Sequence, residues 1–164
     1  MEQLQKVESN SIQVSDMVKT IISDATVEID NYIEKVRQCF LSEKDIPDGD
    51  LDKIILQIPI YVYYLTNVLQ QLDVKKGIAS EQAKYYENEA LLNATGTVAE
   101  KQAKSENATV KDRMTQLAYK SAVSIIQGKI NGAMEILSSA KKVQQRRLVE
   151  MQLTKAAGGA VGAF

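Results

Sequence analysis

The side chains that most often carry catalysis are scarce in this chain. Its 164 residues include no histidine and a single cysteine, Cys39. Without His, the Ser-His-Asp and Cys-His arrangements have no base, and the commonest zinc ligand is missing. Cys39 lies beside Phe40 on an apolar-periodic stretch, which reads as a buried structural thiol. The run "DIPDGDLD", residues 45–52, is the acidic cluster that could hold a cation. Read as a calcium loop from Asp48, it puts Asp50 and Asp52 at ligand positions, but Lys53 stands where the loop needs Gly and Pro59 where it needs Glu. It reads instead as a solvated turn followed by a helix cap. A phosphate loop of the G-x-x-x-x-G-K-[ST] type is absent. The chain therefore reads as a non-enzyme with no metal site and no cofactor.

What remains is charge. Net charge is −1, but residues 1–50 hold 5 cations and 11 anions, whereas residues 111–164 hold 9 and 3. The stretch "SSAKKVQQRRLVEMQ", residues 138–152, carries Lys141, Lys142, Arg146 and Arg147 with only Glu150 beside them. At about 100° per residue these cations form one broad ridge on a helix, lengthened by Arg113, Lys120 and Lys155. Ile125, Ile126, Ile130, Met134, Ile136, Leu137, Val143 and Leu148 supply the apolar side. A solvated charged face is the bland reading. The scarcity of neighbouring acids, and the planar fork of Arg, favour phosphates.

Aromatic residues add a second signal. Six of the seven tyrosines lie between residues 61 and 119. Tyr61, Tyr63 and Tyr64 sit in the most apolar stretch and read as core. Tyr85 and Tyr86, next to Lys84 and after Lys75 and Lys76, read as an exposed pair on which bases could stack. Single-stranded nucleic acid is held that way without sequence preference.

The elements that would position these residues are helices. Residues 15–42 repeat apolar side chains every three or four positions, with Ser15 as N-cap. Residues 50–94 continue the pattern, with Pro59 expected to kink the helix or begin a new one and Gly77 a weak point. Thr97 and Glu100 form a capping box. A long basic helix covers 98–154, with a weak boundary near Thr109. Residues 156–164 read as a flexible tail after a single domain, 1–155. "GKING", from Gly128 to Gly132, reads as a close crossing with another helix. The fold class is all-α: elongated antiparallel long helices, a bundle of coiled-coil character completed by oligomerisation, since so long a helix cannot bury its stripe in so small a monomer.

No basic-then-apolar leader opens the chain, and no window has the roughly 18–20 apolar residues that a spanning helix needs. The expectation is a cytoplasmic protein with no membrane partner.

Two segments carry a family resemblance: "YLTNVLQQLDVKKGIASEQAKYYENEALLN" and "LAYKSAVSIIQGKINGAMEILSSAKK". Together they resemble the small phage recombination mediators of the UvsY type over about residues 60–145. Lys75 and Lys76 stand before Tyr85 and Tyr86, and Gly132-Ala133-Met134-Glu135-Ile136 before Lys141 and Lys142. Ser80-Glu81-Gln82-Ala83 departs from the family's Lys-Ala-Arg-Leu signature, and Lys84 stands where the family has Asp. The resemblance implies a homo-oligomer in the host cytoplasm that binds single-stranded DNA at Lys75, Lys76, Lys84, Tyr85 and Tyr86. It also implies displacement of a single-strand-binding protein and loading of a RecA-like recombinase. Two other readings stand beside it. One is a scaffold, for example of a virion, whose acidic and basic helices pair between subunits. The other is an adaptor or inhibitor that binds one host protein through an amphipathic helix.

Overall fold

The computed structural model describes residues 2–41 and 46–159, with side chains for 9–41 and 46–156. The described residues form helices and no strand: α1 (Glu2–Leu41), α2 (Asp48–Asn93), α3 (Val98–Ala108) and α4 (Val110–Gly159). The fold is all-α. Among these residues no helix is long and apolar enough to cross a membrane.

Several boundaries differ from expectation. Ser15 is not a cap, because α1 begins at Glu2. The run of Glu, Gln, Leu and Lys before it contains no Gly or Pro and favours helix. α2 is one helix through both Pro59 and Gly77. Leu51, Ile54, Ile58 and Leu65 are buried on either side of the proline. Each contributes about 1.5–3 kcal/mol, which offsets the roughly 3 kcal/mol an internal proline costs. At the C-terminal end, residues 156–159 are helical, since Lys155, Ala156 and Ala157 are strong helix formers. Residues 160–164 of the expected tail lie outside the described residues, as do 42–45.

The turn before α3 follows the sequence closely. Thr97 Oγ1 accepts from the Glu100 amide at 3.4 Å, and the Thr97 amide donates to Glu100 Oε2 at 2.8 Å. The backbone contact lowers the Glu100 carboxyl below its ordinary range. Gly96, at φ 120°, sits where a side chain would strike that carboxylate. The boundary at Thr109 is shallow. Its amide still donates to Ser105 O at 3.1 Å, and its carbonyl still accepts from the Arg113 amide at 3.0 Å. The buried Thr109 hydroxyl also donates to Ser105 O, at 2.9 Å.

The chain divides into two compact units. The first comprises residues 1–27 and 65–128. Val18, Leu65, Leu72, Ala79, Ala83, Ala118, Ala122 and Ile126 are its buried apolar residues. Here α2 and α4 run antiparallel, Gln116 donating to Ser80 at 3.0 Å and Arg113 to Glu87 at 2.7 Å. Ser105 of α3 donates its hydroxyl to Glu87 O at 3.0 Å.

The second unit comprises residues 28–64 and 129–164, with Ile29, Val36, Ile46, Leu51, Ile54, Ile58, Ile130, Ala133, Leu137 and Ala140 buried. Again α2 and α4 are antiparallel: Gln144 donates to Asp52 at 2.6 Å and Arg147 to Asp48 at 2.8 Å. α1 joins through an ion pair of Asp30 with Lys129 and through Tyr32 against Tyr61, with ring centroids 5.2 Å apart.

Alanines on α4, not the glycines, let neighbouring helices come close. A side chain added at Gly128 or Gly132 would meet nothing within 4 Å among the described residues, so "GKING" is not a crossing point between helices of one chain. Ala118, Ala122 and Ala140 are fully buried. Cys39 is likewise not core: it is exposed and outside any disulfide. Cys39 and Phe40, three and four residues beyond the buried Val36, continue its helix face, but they stand in the last turn of α1, where both are exposed.

Candidate nucleic-acid interface

The phase of α4 sorts the late cations. Its inward stripe in the second unit runs through Ala133, Leu137 and Ala140. Arg147 stands one heptad beyond Ala140, and seven residues return a helix to within about 20° of the same direction. Its side chain is accordingly only 23% exposed. The guanidinium donates to the Ile46 carbonyl and to Asp48 Oδ1. Arg147 is therefore a clamp on the start of α2, pointing inward where the sequence suggested an outward phosphate contact.

Lys141, Lys142 and Arg146 are exposed. Lys142 and Arg146 are four residues apart and so neighbours on one face. Arg146 Nε lies 3.3 Å from Glu150 Oε1, with the two side chains 79% and 61% exposed. A pair so open to water is worth little, and it leaves most of the guanidinium fork available. No carboxylate of the described residues pairs with Lys141 or Lys142.

The acids that balance this ridge lie in the same unit. Residues 28–64 hold 8 anions and 4 cations, and residues 129–164 hold 6 cations and 2 anions, a net −4 against +4. Lys129 with Asp30 and Arg147 with Asp48 realise two of those pairings within one chain. The groove of about 600 Å³ along the end of α4 shows the same compensation, with Arg147 and Lys155 facing Asp48 and Glu150.

The second candidate set lies on α2, within the first unit. Lys75 and Lys84 are nine residues apart, which is about 180° around a helix, so they occupy opposite flanks. Lys76 pairs with Asp73, and Lys84 with Glu81 at 2.9 Å. Tyr85 and Tyr86 are exposed, as expected, their rings edge to face at 5.6 Å and 73°. The five residues do not share one face.

Comparison with family models, curated proteins and solved structures finds no match. The chemistry must be read from the residues themselves.

Two features of the surface were not apparent in the sequence. Tyr63 and Tyr64, expected in the core, are 65% and 63% exposed, their rings edge to face at 5.8 Å. Tyr61 alone of that trio turns toward α1, where burial, and then the nearby Tyr61 ring, raise the Tyr32 phenol above its ordinary range. The apolar residues around Tyr63 encircle α2, and a helix in a small bundle buries one stripe only. The other feature is a groove in the first unit between α2 and α4. Lys84, Arg113 and Lys120 line one stretch of about 440 Å³, with Ser80 and Gln116 between them. Glu87 holds Arg113 and Glu81 holds Lys84, so the groove is polar more than cationic.

Proposed function

We propose that this is a non-enzymatic helical protein that binds the phosphate backbone of single-stranded DNA at the outer face of α4. The observation that carries this reading is the exposure of Lys141, Lys142 and Arg146 together, with Glu150 the one described carboxylate paired among them. Three exposed cations on a helix face suit a flexible polyanion, whose sequence they would not read. Tyr85 and Tyr86, and equally Tyr63 and Tyr64, are aromatic surfaces of the kind on which bases stack. Displacing a single-strand-binding protein and loading a RecA-like recombinase is the role that the UvsY-type resemblance adds.

A salt titration with a labelled oligonucleotide tests the reading. Affinity falls steeply with salt if phosphates are neutralised, with a log–log slope of about −0.7 per phosphate for single strands. A protein that leaves the oligonucleotide unbound at low salt would end it.

A second reading is an assembly protein, and a separate observation favours it. Large apolar side chains stay exposed along α2, among them Val74, Ile78, Tyr85 and Leu92. Charge need not drive that assembly in trans, since Lys129 and Arg147 find acids in their own chain. Sedimentation of the protein alone separates the two readings.

A further inference from the structure

Four of the five exposed large apolar residues that α2 gives the first unit are in register, and Tyr86 stands about 100° from Tyr85 outside that line. Val74, Ile78, Tyr85 and Leu92 are 63%, 53%, 65% and 86% exposed. At about 100° per residue all four fall within an arc of about 40°. With Gln71, Glu81 and Asn88, also exposed, they step by alternating intervals of three and four residues, the a/d pattern of a helix seam. From Val74 to Leu92 the stripe runs about 27 Å. The face opposite it, through Leu72, Ala79 and Ala83, is the one buried in the unit.

The charges beside the stripe identify what covers it. Lys75 and Glu89 lie two heptads apart on the same flank, both exposed, and neither has an ion pair among the described residues. The other charged residues near the seam are already matched: Lys84 with Glu81, Lys76 with Asp73, and Glu87 with Arg113. One unmatched cation and one unmatched anion, placed symmetrically about Gln82, are complementary to the same surface turned end for end. In a two-fold interface each contact occurs twice.

We infer that the outer face of α2 pairs antiparallel with α2 of a second copy of this chain, about a two-fold axis beside Gln82. Lys75 of one copy then meets Glu89 of the other, twice. Val74 packs on Leu92 of the second copy, and the Tyr85 hydroxyl reaches Glu81 across the seam. The inference rests on the assembly reading and not on DNA binding.

Cysteine cross-linking tests it, in a Cys39→Ser background so that the introduced thiol is alone. Gln82→Cys sits beside the axis and forms a covalent dimer under mild oxidation. Lys75→Cys does not, since antiparallel pairing separates the two copies of residue 75; a cross-link there would mean parallel pairing and overturn the inference. In sedimentation equilibrium, Ile78→Asp abolishes the dimer. Lys75→Glu weakens it about tenfold, two rim ion pairs being lost, and adding Glu89→Lys restores it. All the substituted positions are exposed, so circular dichroism should show an unchanged helix content. If the wild type associates while Gln82→Cys stays unlinked and Ile78→Asp has no effect, the interface lies elsewhere and the assembly reading survives alone. A wild type that remains monomeric at every concentration sinks both, and neither outcome touches Lys141, Lys142 and Arg146, the cations whose phosphate contacts the salt titration reads.

Discussion

Lys84 on α2 and Lys142 on α4 are both exposed lysines on long helices, yet their surroundings differ in a way that decides what each can bind. Around Lys84 the helix supplies its own counterions at three-residue spacing: Asp73 for Lys76 and Glu81 for Lys84. Around Lys142 it supplies none before Glu150, which answers Arg146 across open solvent. Cations with an acid on the same face present little net field to a polyanion, whereas cations without one leave their charge to a partner. The pair also shows that local density of Lys and Arg is a poor guide by itself. The phase of each residue against the buried stripe decides first, and the acids one turn away decide next.

The largest effect that would break this contrast is charge reversal on α4. Replacing Lys141, Lys142 and Arg146 with Glu should remove oligonucleotide binding at low salt. The milder change of all three to Ala should reduce the salt slope by about 2, three single-strand phosphate contacts at about 0.7 each. On α2 the paired lysines, Lys76 and Lys84 changed together to Ala, should leave affinity nearly unchanged. A loss as large as that of the α4 variants would show that paired lysines contribute after all.

Arg147 sharpens the contrast within α4 itself. Its guanidinium serves Asp48 and the Ile46 carbonyl, so Arg147→Ala should lower stability and spare binding. Hydrogen bonds to charged groups are worth about 1.5–3 kcal/mol. Solvent screening at the exposed Asp48 reduces the expectation to about 1–2 kcal/mol, measured by urea unfolding. Arg146→Ala should do the reverse, changing stability by less than about 0.5 kcal/mol while weakening oligonucleotide binding.

Much of the fold was legible because it is local. Apolar spacing of three and four gave the helices, and Thr97 with Glu100 gave the start of α3. The weak boundary near Thr109 was legible too. What was not legible depends on which stripe of a helix turns inward. Around Tyr61, Tyr63 and Tyr64 the apolar residues encircle α2, so the sequence did not say that Tyr61 would meet Tyr32 and the other two would face water. Arg147 is the opposite case. Counting a heptad from Ala140 would have placed it on the inward stripe, but a cation in a basic run was read by its charge and not by its phase. Cys39 is a third case: its phase continues that of the buried Val36, but it lies in the last turn of α1, where it and Phe40 are exposed.

The carboxylates of the first unit allow a finer version of the comparison, since they are used in two ways. Glu81 and Glu87 answer cations, whereas Glu100 answers a backbone amide, that of Thr97. Removing Thr97→Ala takes away the reciprocal half of that cap and should cost about 1 kcal/mol. The smallest predicted effect is the pH dependence of the same contact. Its hydrogen bonds to Thr97 hold the Glu100 carboxyl below its ordinary range, so folding favours the ionised form. That contribution is complete above the carboxyl's unfolded value and is lost as pH falls through the lowered folded value. Amide exchange at Thr97 should therefore lose protection severalfold at acid pH, below the usual carboxylate range. Glu100→Gln keeps an acceptor at that position but cannot titrate, so its Thr97 exchange should show no such step. A step of the same size in Glu100→Gln would assign the acid sensitivity to Glu81 or Glu87, and the two uses of carboxylate would no longer be distinguishable by pH.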